Sequence, residues 1–241
     1  MRCLIVLPTY QEAANVVAVL RRVRAAMPAV QVLVVDDNSP DGTADLAEAA
    51  ATELGAVQVT RRPAKSGLGS AYRAGFQWGL GQGFEVLIEM DADLSHEPSD
   101  VPRLVASVEE GADLVIGSRY MPGGSIPDWS WHRRALSRYG NRYAAAMLRI
   151  PVTDATSGLR AYRASMQAEV GLETVRADGY GFQVEMAYRV AQRGGKVVEI
   201  PISFVDRTLG QSKMSTWIVL EAFGLVTWWG LRDRLLRSRE A

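Results

Sequence analysis

The alternation of short β-rich runs with helix-length segments through the first half of the chain constrains its fold more than any other feature of the sequence. Residues 4–7 form an apolar run, and over 11–27 apolar side chains recur at 16, 17, 19, 20, 23 and 27, the spacing of one helical face. Residues 31–35 are again β-rich and lead into Asp36-Asp37-Asn38-Ser39-Pro40-Asp41-Gly42, a cluster of turn formers, before an Ala-rich helix over 43–54. The unit then recurs as strand 57–60 with helix 67–80, strand 86–90 with helix 98–110, and strand 114–116. Strands separated by helices of this length pair in parallel through right-handed crossovers and are covered on both faces. The expected class is α/β. Beyond residue 117 the pattern loosens into a Gly-, Pro- and Trp-rich loop over 120–131 and an Arg-rich helix to residue 150. A late strand over 197–205 carries an internal Pro201, which places it at a sheet edge.

Ligands of such sheets sit beyond the carboxyl ends of the strands. This chain puts Pro8-Thr9-Tyr10, Asp36-Asp37 and Asp91-Ala92-Asp93 there, so three polar strand ends converge on one crevice. Asp91 and Asp93 are two apart, and on extended backbone their side chains point the same way. Two carboxylates so placed can meet one hard divalent cation, Mg²⁺ or Mn²⁺, and leave positions for substrate phosphates. The same pair would also suit a turn and cap introducing the next helix. Ser95 and His96 follow closely enough to add a ligand or a substrate contact. The stretch Lys65-Ser66-Gly67-Leu68-Gly69 lacks the third glycine of a dinucleotide loop and the spacing of a P-loop. It reads as a Gly-rich turn opening a helix, with Lys65 or the helix N-terminus as candidate phosphate contacts. Arg207 and Lys213 flank Gly210 in a segment that suits either a solvated loop or a flap over a pyrophosphate.

Composition narrows the function classes. Of 241 residues 48% are hydrophobic, enough for a large core, and 27 Lys+Arg balance 27 Asp+Glu. That neutrality removes the global electrostatic footprint of a nucleic-acid binder. It hides a segregation, because no Lys or Arg occurs between Arg24 and Arg61, and no acid between Asp128 and Asp154 where Arg133, Arg134, Arg138, Arg142 and Arg149 lie. The basic stretch is either a solvated helix face or an anion site. The single Cys3, with His96 and His132 as the only histidines, excludes an internal disulfide and a Cys/His zinc site, and suits a reducing intracellular compartment. No Ser/His/Asp nucleophile arrangement stands out. The first apolar run is too short for a secretory signal. The most apolar stretch, 217–231, contains Glu221 and falls short of the about 20 residues that span a bilayer.

Taken in order, these pieces resemble the polyprenol-phosphate (dolichol-phosphate) mannosyltransferases of glycosyltransferase family 2, which have the GT-A fold. The resemblance rests on Leu7-Pro8-Thr9-Tyr10-Gln11-Glu12, Val35-Asp36-Asp37-Asn38-Ser39-Pro40-Asp41-Gly42-Thr43, Gly67-Leu68-Gly69, Met90-Asp91-Ala92-Asp93-Leu94-Ser95-His96, Gly117-Ser118-Arg119-Tyr120, Asp154-Ala155-Thr156-Ser157-Gly158-Leu159-Arg160, and Phe204-Val205-Asp206-Arg207 with Ser212-Lys213. It implies a GT-A catalytic domain over 1–213 and a C-terminal amphipathic, membrane-associated helix over 214–241. It further implies that Pro8, Tyr10, Glu12, Val35 and Asp37 surround the guanine and ribose of GDP-mannose, while Asp91, Ala92 and Asp93 hold metal and diphosphate. Arg119, Arg207 and Lys213 match the family's phosphate ligands, and Arg133 and Ser137 match positions that receive the acceptor phosphate. Ser95 stands where some relatives have Gln as third metal ligand, so water would complete the shell if Ser95 does not.

The implied reaction moves mannose from GDP-mannose to a polyprenyl monophosphate with inversion, helped by Mg²⁺ or Mn²⁺. Asp91, Asp93, Arg119 and Arg133 would carry it, with Asp154 as an orienting residue. The acceptor tail is lipid, so a membrane surface is an expected partner, on the cytoplasmic face, with room for an integral membrane partner and none for nucleic acid. Trp217, Leu220, Phe223, Gly224, Trp228, Leu231 and Leu235 recur at three- and four-residue intervals, followed by arginines, as an interfacial helix would show. A core-packed C-terminal helix is the rival. The competing functions are glucose transfer from UDP-glucose to the same lipid class and non-catalytic nucleotide-sugar binding.

Overall fold

The computed structural model describes residues 1–206 and 216–237. The element order begins β1 (Cys3–Thr9), α1 (Val16–Ala26), β2 (Gln31–Asp36), α2 (Thr43–Leu54), β3 (Val57–Arg61), α3 (Leu68–Gly81), β4 (Val86–Glu89), α4 (Val101–Glu109) and β5 (Leu114–Ser118). It continues with α5 (Trp131–Leu148), β6 (Arg160–Arg163), α6 (Ala164–Val170), α7 (Gly179–Gln192), β7 (Val197–Pro201) and α8 (Thr216–Arg237). The strands form one sheet in the order β3-β2-β1-β4-β6-β5-β7. All pairs are parallel except those of β6, which runs antiparallel to both β4 and β5. The sheet is thus mixed and mostly parallel, flanked by helices, as the alternating pattern requires.

Strand pleating sorts the core into two layers, since successive side chains leave opposite faces. Leu4 and Val6 of β1 join Leu33 and Val35 of β2 and Leu87 of β4 on one face, against Tyr72 and Phe76 of α3, Leu148 of α5 and Phe182 of α7. Ile5 and Leu7 join Val32, Val34, Val86 and Ile88 on the other, against α1, α2 and α4. α1 meets that layer with Val16, Val19, Leu20 and Val23, a stripe at helical spacing. α3 approaches β1 so closely that a Cβ on Gly75 would lie 2.4 Å from Val6 Cγ1.

Several expected boundaries move for local reasons. α1 begins at Val16 rather than residue 11, because Gln11 has φ 55° and the amides of Asn15 and Val16 both donate to the Glu12 carbonyl in a preceding turn. The helix expected over 98–110 opens with a 3₁₀ turn, Pro98–Asp100. β7 stops at Pro201, which has no amide to donate, and is the edge strand the proline signalled. β6, α6 and α7 were not anticipated. β6 reads Arg-Ala-Tyr-Arg, with no apolar run to announce it, yet Arg160 and Tyr162 are completely buried. α8 packs along α5 and α7: Tyr143 and Phe223 rings lie 5.2 Å apart, and Tyr188 stacks on Trp229. Its opposite side exposes Trp228, Leu231 and Leu235. Among the described residues no helix is long and apolar enough to cross a membrane.

Candidate active site

A cavity of about 460 Å³ opens beyond the carboxyl ends of β1, β2 and β4. Pro8, Tyr10, Glu12 and Asp37 line it, as do Asp91, Ala92 and Asp93, and Arg119 with Arg133. Nine sequence-predicted residues therefore share one space. Val35 and Ser95 are not among its lining residues: the Val35 side chain is packed in the core, and the Ser95 hydroxyl is buried with no hydrogen-bond partner among the described residues. Ser137 lines an adjoining groove instead. Arg207 and Lys213 lie outside the described residues.

The β1 and β2 ends are built by short-range hydrogen bonds. Asp36, buried, accepts from Thr9 Oγ1 at 2.8 Å and from the Ser39 amide and hydroxyl, so it braces the turn rather than facing the cavity. Asp37 accepts from Arg62 Nη1 at 2.7 Å and from the Ser66 amide at 2.9 Å. The Lys65 ammonium sits 4.2 Å above the Tyr10 ring. The N-terminus of α3, a candidate phosphate contact from sequence, is filled by a carboxylate of the chain itself: Asp178 accepts from the Gly69 amide at 2.5 Å and also caps α7 through Gly179.

At the end of β4, Asp91 and Asp93 both line the cavity, and Asp93 Oδ1 accepts from the Ser95 amide across Leu94, which sits in the left-handed region at φ 65°. A non-glycine residue held there marks a turn fixed by its surroundings. Among the described residues no three His, Cys, Asp or Glu side chains gather into a metal cage. Two carboxylates at the wall of an open cavity fit the mode in which Mg²⁺ or Mn²⁺ takes one or two protein oxygens and completes its shell with substrate phosphates and water.

The basic end is organised by an ion pair. Arg119 donates from Nε and Nη2 to the two oxygens of Asp154, each at 2.7 Å, and its backbone amide adds a third bond at 3.0 Å. Both side chains are buried. Burial opposes the charged form of Asp154, but the Arg119 charge and hydrogen bonds outweigh it and hold the carboxyl below the ordinary range. The same pairing overcomes burial to hold Arg119 firmly protonated. Its guanidinium carbon lies 5.3–5.6 Å from the ring centres of Tyr120, Trp129 and Phe204. Arg133, on exposed α5, stacks 3.9 Å over Trp129 and donates to Asp206 at 2.7 Å. The other arginines of that stretch, Arg134, Arg138, Arg142 and Arg149, are exposed.

Beside this end, a groove of about 340 Å³ runs between α5, α7 and α8, sharing Trp129, Arg133, Thr156 and Tyr180 with the first cavity. Its farther walls are apolar: Leu136, Ala144, Val184, Phe223 and Val226. Sequence reading assigned no role to Trp129, Thr156, Asp178, Tyr180 or Gln183; the last three went unseen because α7 was not foreseen. The Gly-Tyr-Gly opening of α7 after Asp178, a capping residue, was the available signal.

A family model described as Glycosyl transferase family 2 matches residues 4–171. An undecaprenyl-phosphate mannosyltransferase of Micrococcus luteus is 50% identical over 241 residues, covering 99% of each chain. A polyprenol monophosphomannose synthase of Mycolicibacterium smegmatis is 47% identical, covering 99% of this chain and 90% of that one. Among solved structures, glucosyl-3-phosphoglycerate synthase from Mycobacterium tuberculosis, in complex with Mn²⁺, UDP-glucose and phosphoglyceric acid, superposes with a TM-score of 0.69 at 18% identity, covering 93% of this chain and 78% of that one. At that identity the likeness concerns the fold.

Proposed function

The chain belongs to glycosyl transferase family 2, and from that premise we propose that it transfers mannose from GDP-mannose to a polyprenyl monophosphate, giving a β-mannosyl phospholipid and GDP. The observation that carries this reading is the continuity of the two spaces. A cavity with a carboxylate pair and cationic side chains suits a nucleotide-sugar, and it opens past Arg133 into an apolar groove suited to an isoprenoid chain. The relatives named for lipid-phosphate mannosyl transfer support the same acceptor class.

In this reading Pro8, Tyr10, Glu12 and Asp37 hold the nucleoside, with Val35 contributing through its backbone. Asp91 and Asp93 hold Mg²⁺ or Mn²⁺ against the diphosphate, and Arg207 and Lys213 complete the phosphate contacts. A divalent cation held by Asp91 and Asp93 would supply positive charge to offset that of the leaving diphosphate. Arg133, with Ser137 nearby, receives the acceptor phosphate, and Arg119 faces the same end of the cavity from its aromatic surround. An acceptor phosphate oxygen forms the new bond to the anomeric carbon as the bond to the diphosphate oxygen breaks, so the configuration inverts and GDP carries away the bonding pair. A phosphate monoester with a second pKa of about 6 already presents an ionised oxygen, so no side chain has to remove a proton. Asp154 is unsuited to that task in any case, being committed to Arg119 and held ionised at low pH. The residues instead supply positioning and charge compensation, two terms that together account for much of enzymatic rate enhancement. Residues 1–213 act as the catalytic domain, and the helix within 214–241 meets the cytoplasmic surface of a membrane.

The test is incubation of the purified protein with labelled GDP-mannose or UDP-glucose, a polyprenyl phosphate, and Mg²⁺ or Mn²⁺, followed by organic extraction. Label from GDP-mannose should enter the organic phase and disappear with Arg133→Ala. Organic-soluble label from UDP-glucose alone would establish the glucosyl alternative, and none from either donor would overturn transfer to lipid.

A further inference from the structure

Asp91 lines the cavity, and its carboxylate is hydrogen-bonded by one group and closely approached by two others that the reaction itself does not require. Tyr72, from the second turn of α3, donates its hydroxyl to Asp91 Oδ1 at 3.2 Å. Its ring is completely buried, with its centre 5.9 Å from that of Phe182 at an interplanar angle of 7° and 5.9 Å from that of Phe76 at 23°. A ring fixed by stacking has one place to put its hydroxyl, and that place is the carboxylate. On the other oxygen, His96 brings Nε2 to 3.4 Å of Oδ2, its own ring buried against the edge of Phe204. The third neighbour is Gly158: a Cβ there would lie 2.8 Å from Oδ2 and 3.3 Å from Cγ, so the acid occupies space that any other residue would contest.

The chemistry of Tyr72 suits a permanent donor. A phenolic hydroxyl donates and an ionised carboxylate only accepts, so the direction of this bond is set by the two groups themselves. The stacked ring also ties the catalytic β4 end to α3 and α7, the two helices that Asp178 joins at their N-termini.

We propose that Tyr72 is a positioning residue that presets the Asp91 carboxylate for a divalent cation, with Gly158 leaving the space that the acid occupies in that orientation. The inference rests on the reading of Asp91 as a metal ligand and goes beyond it by naming what orients the ligand. A carboxylate already turned toward the cavity loses less orientational freedom when the cation and its diphosphate arrive, and partners of this type typically alter metal affinity by about 10–100-fold. Tyr72→Phe removes one hydroxyl and leaves the stack in place. Gly158→Ala perturbs the same acid from the opposite side, by crowding.

The experiment titrates Mn²⁺ into the intact protein with saturating GDP and reads bound metal by electron paramagnetic resonance, alongside the melting temperature and GDP binding without metal. Tyr72→Phe and Gly158→Ala should each weaken Mn²⁺ binding about ten-fold, with metal-free GDP binding unchanged. Tyr72→Leu, which also loses the stack, should weaken it further, while a Tyr72→Phe protein of native melting temperature isolates the hydroxyl from the fold. Native Mn²⁺ affinity in both Tyr72→Phe and Gly158→Ala, with Asp91→Asn losing the metal, would overturn the positioning role and leave the metal reading intact. Native affinity in Asp91→Asn would overturn the metal reading and this inference with it.

Discussion

Asp154 shows how far a residue's role depends on its partners. An aspartate beside the acceptor end of a glycosyl-transfer site invites assignment as a base, but this one accepts three hydrogen bonds from Arg119 and is wholly buried. Removing it strands a buried guanidinium, which costs about 3–5 kcal/mol. Asp154→Ala should therefore lower the unfolding free energy measured in urea by that amount. The pH dependence has a definite sign. Because the folded carboxyl lies below its ordinary value, the unfolded chain takes up the proton first as pH falls. The stabilisation is complete above about pH 4 and is lost as pH falls through the lowered folded value. Urea midpoints of wild type and Asp154→Ala should consequently stay separated by a constant margin from pH 5 to 8 and converge only in more acid solution. A margin that grew across pH 6–8 would mean that Asp154 titrates there and is free to act as a base. None of this pairing was legible in the sequence, which placed Arg119 and Asp154 in separate motifs; only the β5–β6 pairing brings those segments together.

At the scale of elements, the parallel half of the sheet was legible because each strand carries a continuous apolar run and each crossover helix an apolar stripe. The antiparallel insertion was not. β6 buries charge beside its hydrocarbon: Arg160 lies opposite Glu89 in the ladder and donates to the carbonyls of Ala155, Ser157 and Gln183. A strand whose burial is satisfied by hydrogen bonds leaves no hydropathy pattern to find. α7 escaped for a related reason, being buried on nearly every side and so lacking a polar face to set its period. The second cavity arises from those unforeseen elements, since α7 supplies one wall and α8 another. If that groove takes the acceptor's hydrocarbon, narrowing it should penalise long acceptors selectively. Ala222, half-buried on α8, lines it. Ala222→Trp should raise KM for a long polyprenyl phosphate about ten-fold, equivalent to about 1.4 kcal/mol. A short-chain, water-soluble phosphate acceptor should show little change. Equal loss with both acceptors would place the lipid elsewhere.

For the whole molecule, zero net charge resolves into two arrangements of different kinds. The acidic stretch is compensated internally: Asp45 and Glu48 bind Arg61, Glu53 binds Arg21, and Asp37 binds Arg62. Among the described residues the basic stretch on α5 is not compensated in the same way. Arg133 pairs with Asp206, while Arg134, Arg138 and Arg142 are exposed beside Trp131, Leu136 and Tyr139, which are 77%, 62% and 65% exposed. α8 runs alongside α5, with Tyr143 bonded to Thr227 and Gly230 against Met147, and adds exposed Trp228, Leu231 and Leu235. The sequence pointed to α8 alone as the lipid-facing helix; among the described residues α5 also exposes large aromatic and apolar side chains. Exposed aromatics with neighbouring cations suit an anionic bilayer interface, where each cation contributes about 1 kcal/mol and salt weakens it. Binding to vesicles containing anionic lipid should therefore exceed binding to neutral vesicles and decline as salt rises. Trp131→Ser combined with Trp228→Ser removes one large apolar anchor from each helix, and burial of a single such side chain is worth about 1.5–3 kcal/mol. Co-sedimentation of that double variant should fall at least ten-fold while its transfer to a short soluble acceptor persists. Undiminished sedimentation would exclude these two helices as the membrane contact even if lipid transfer by the wild type were established.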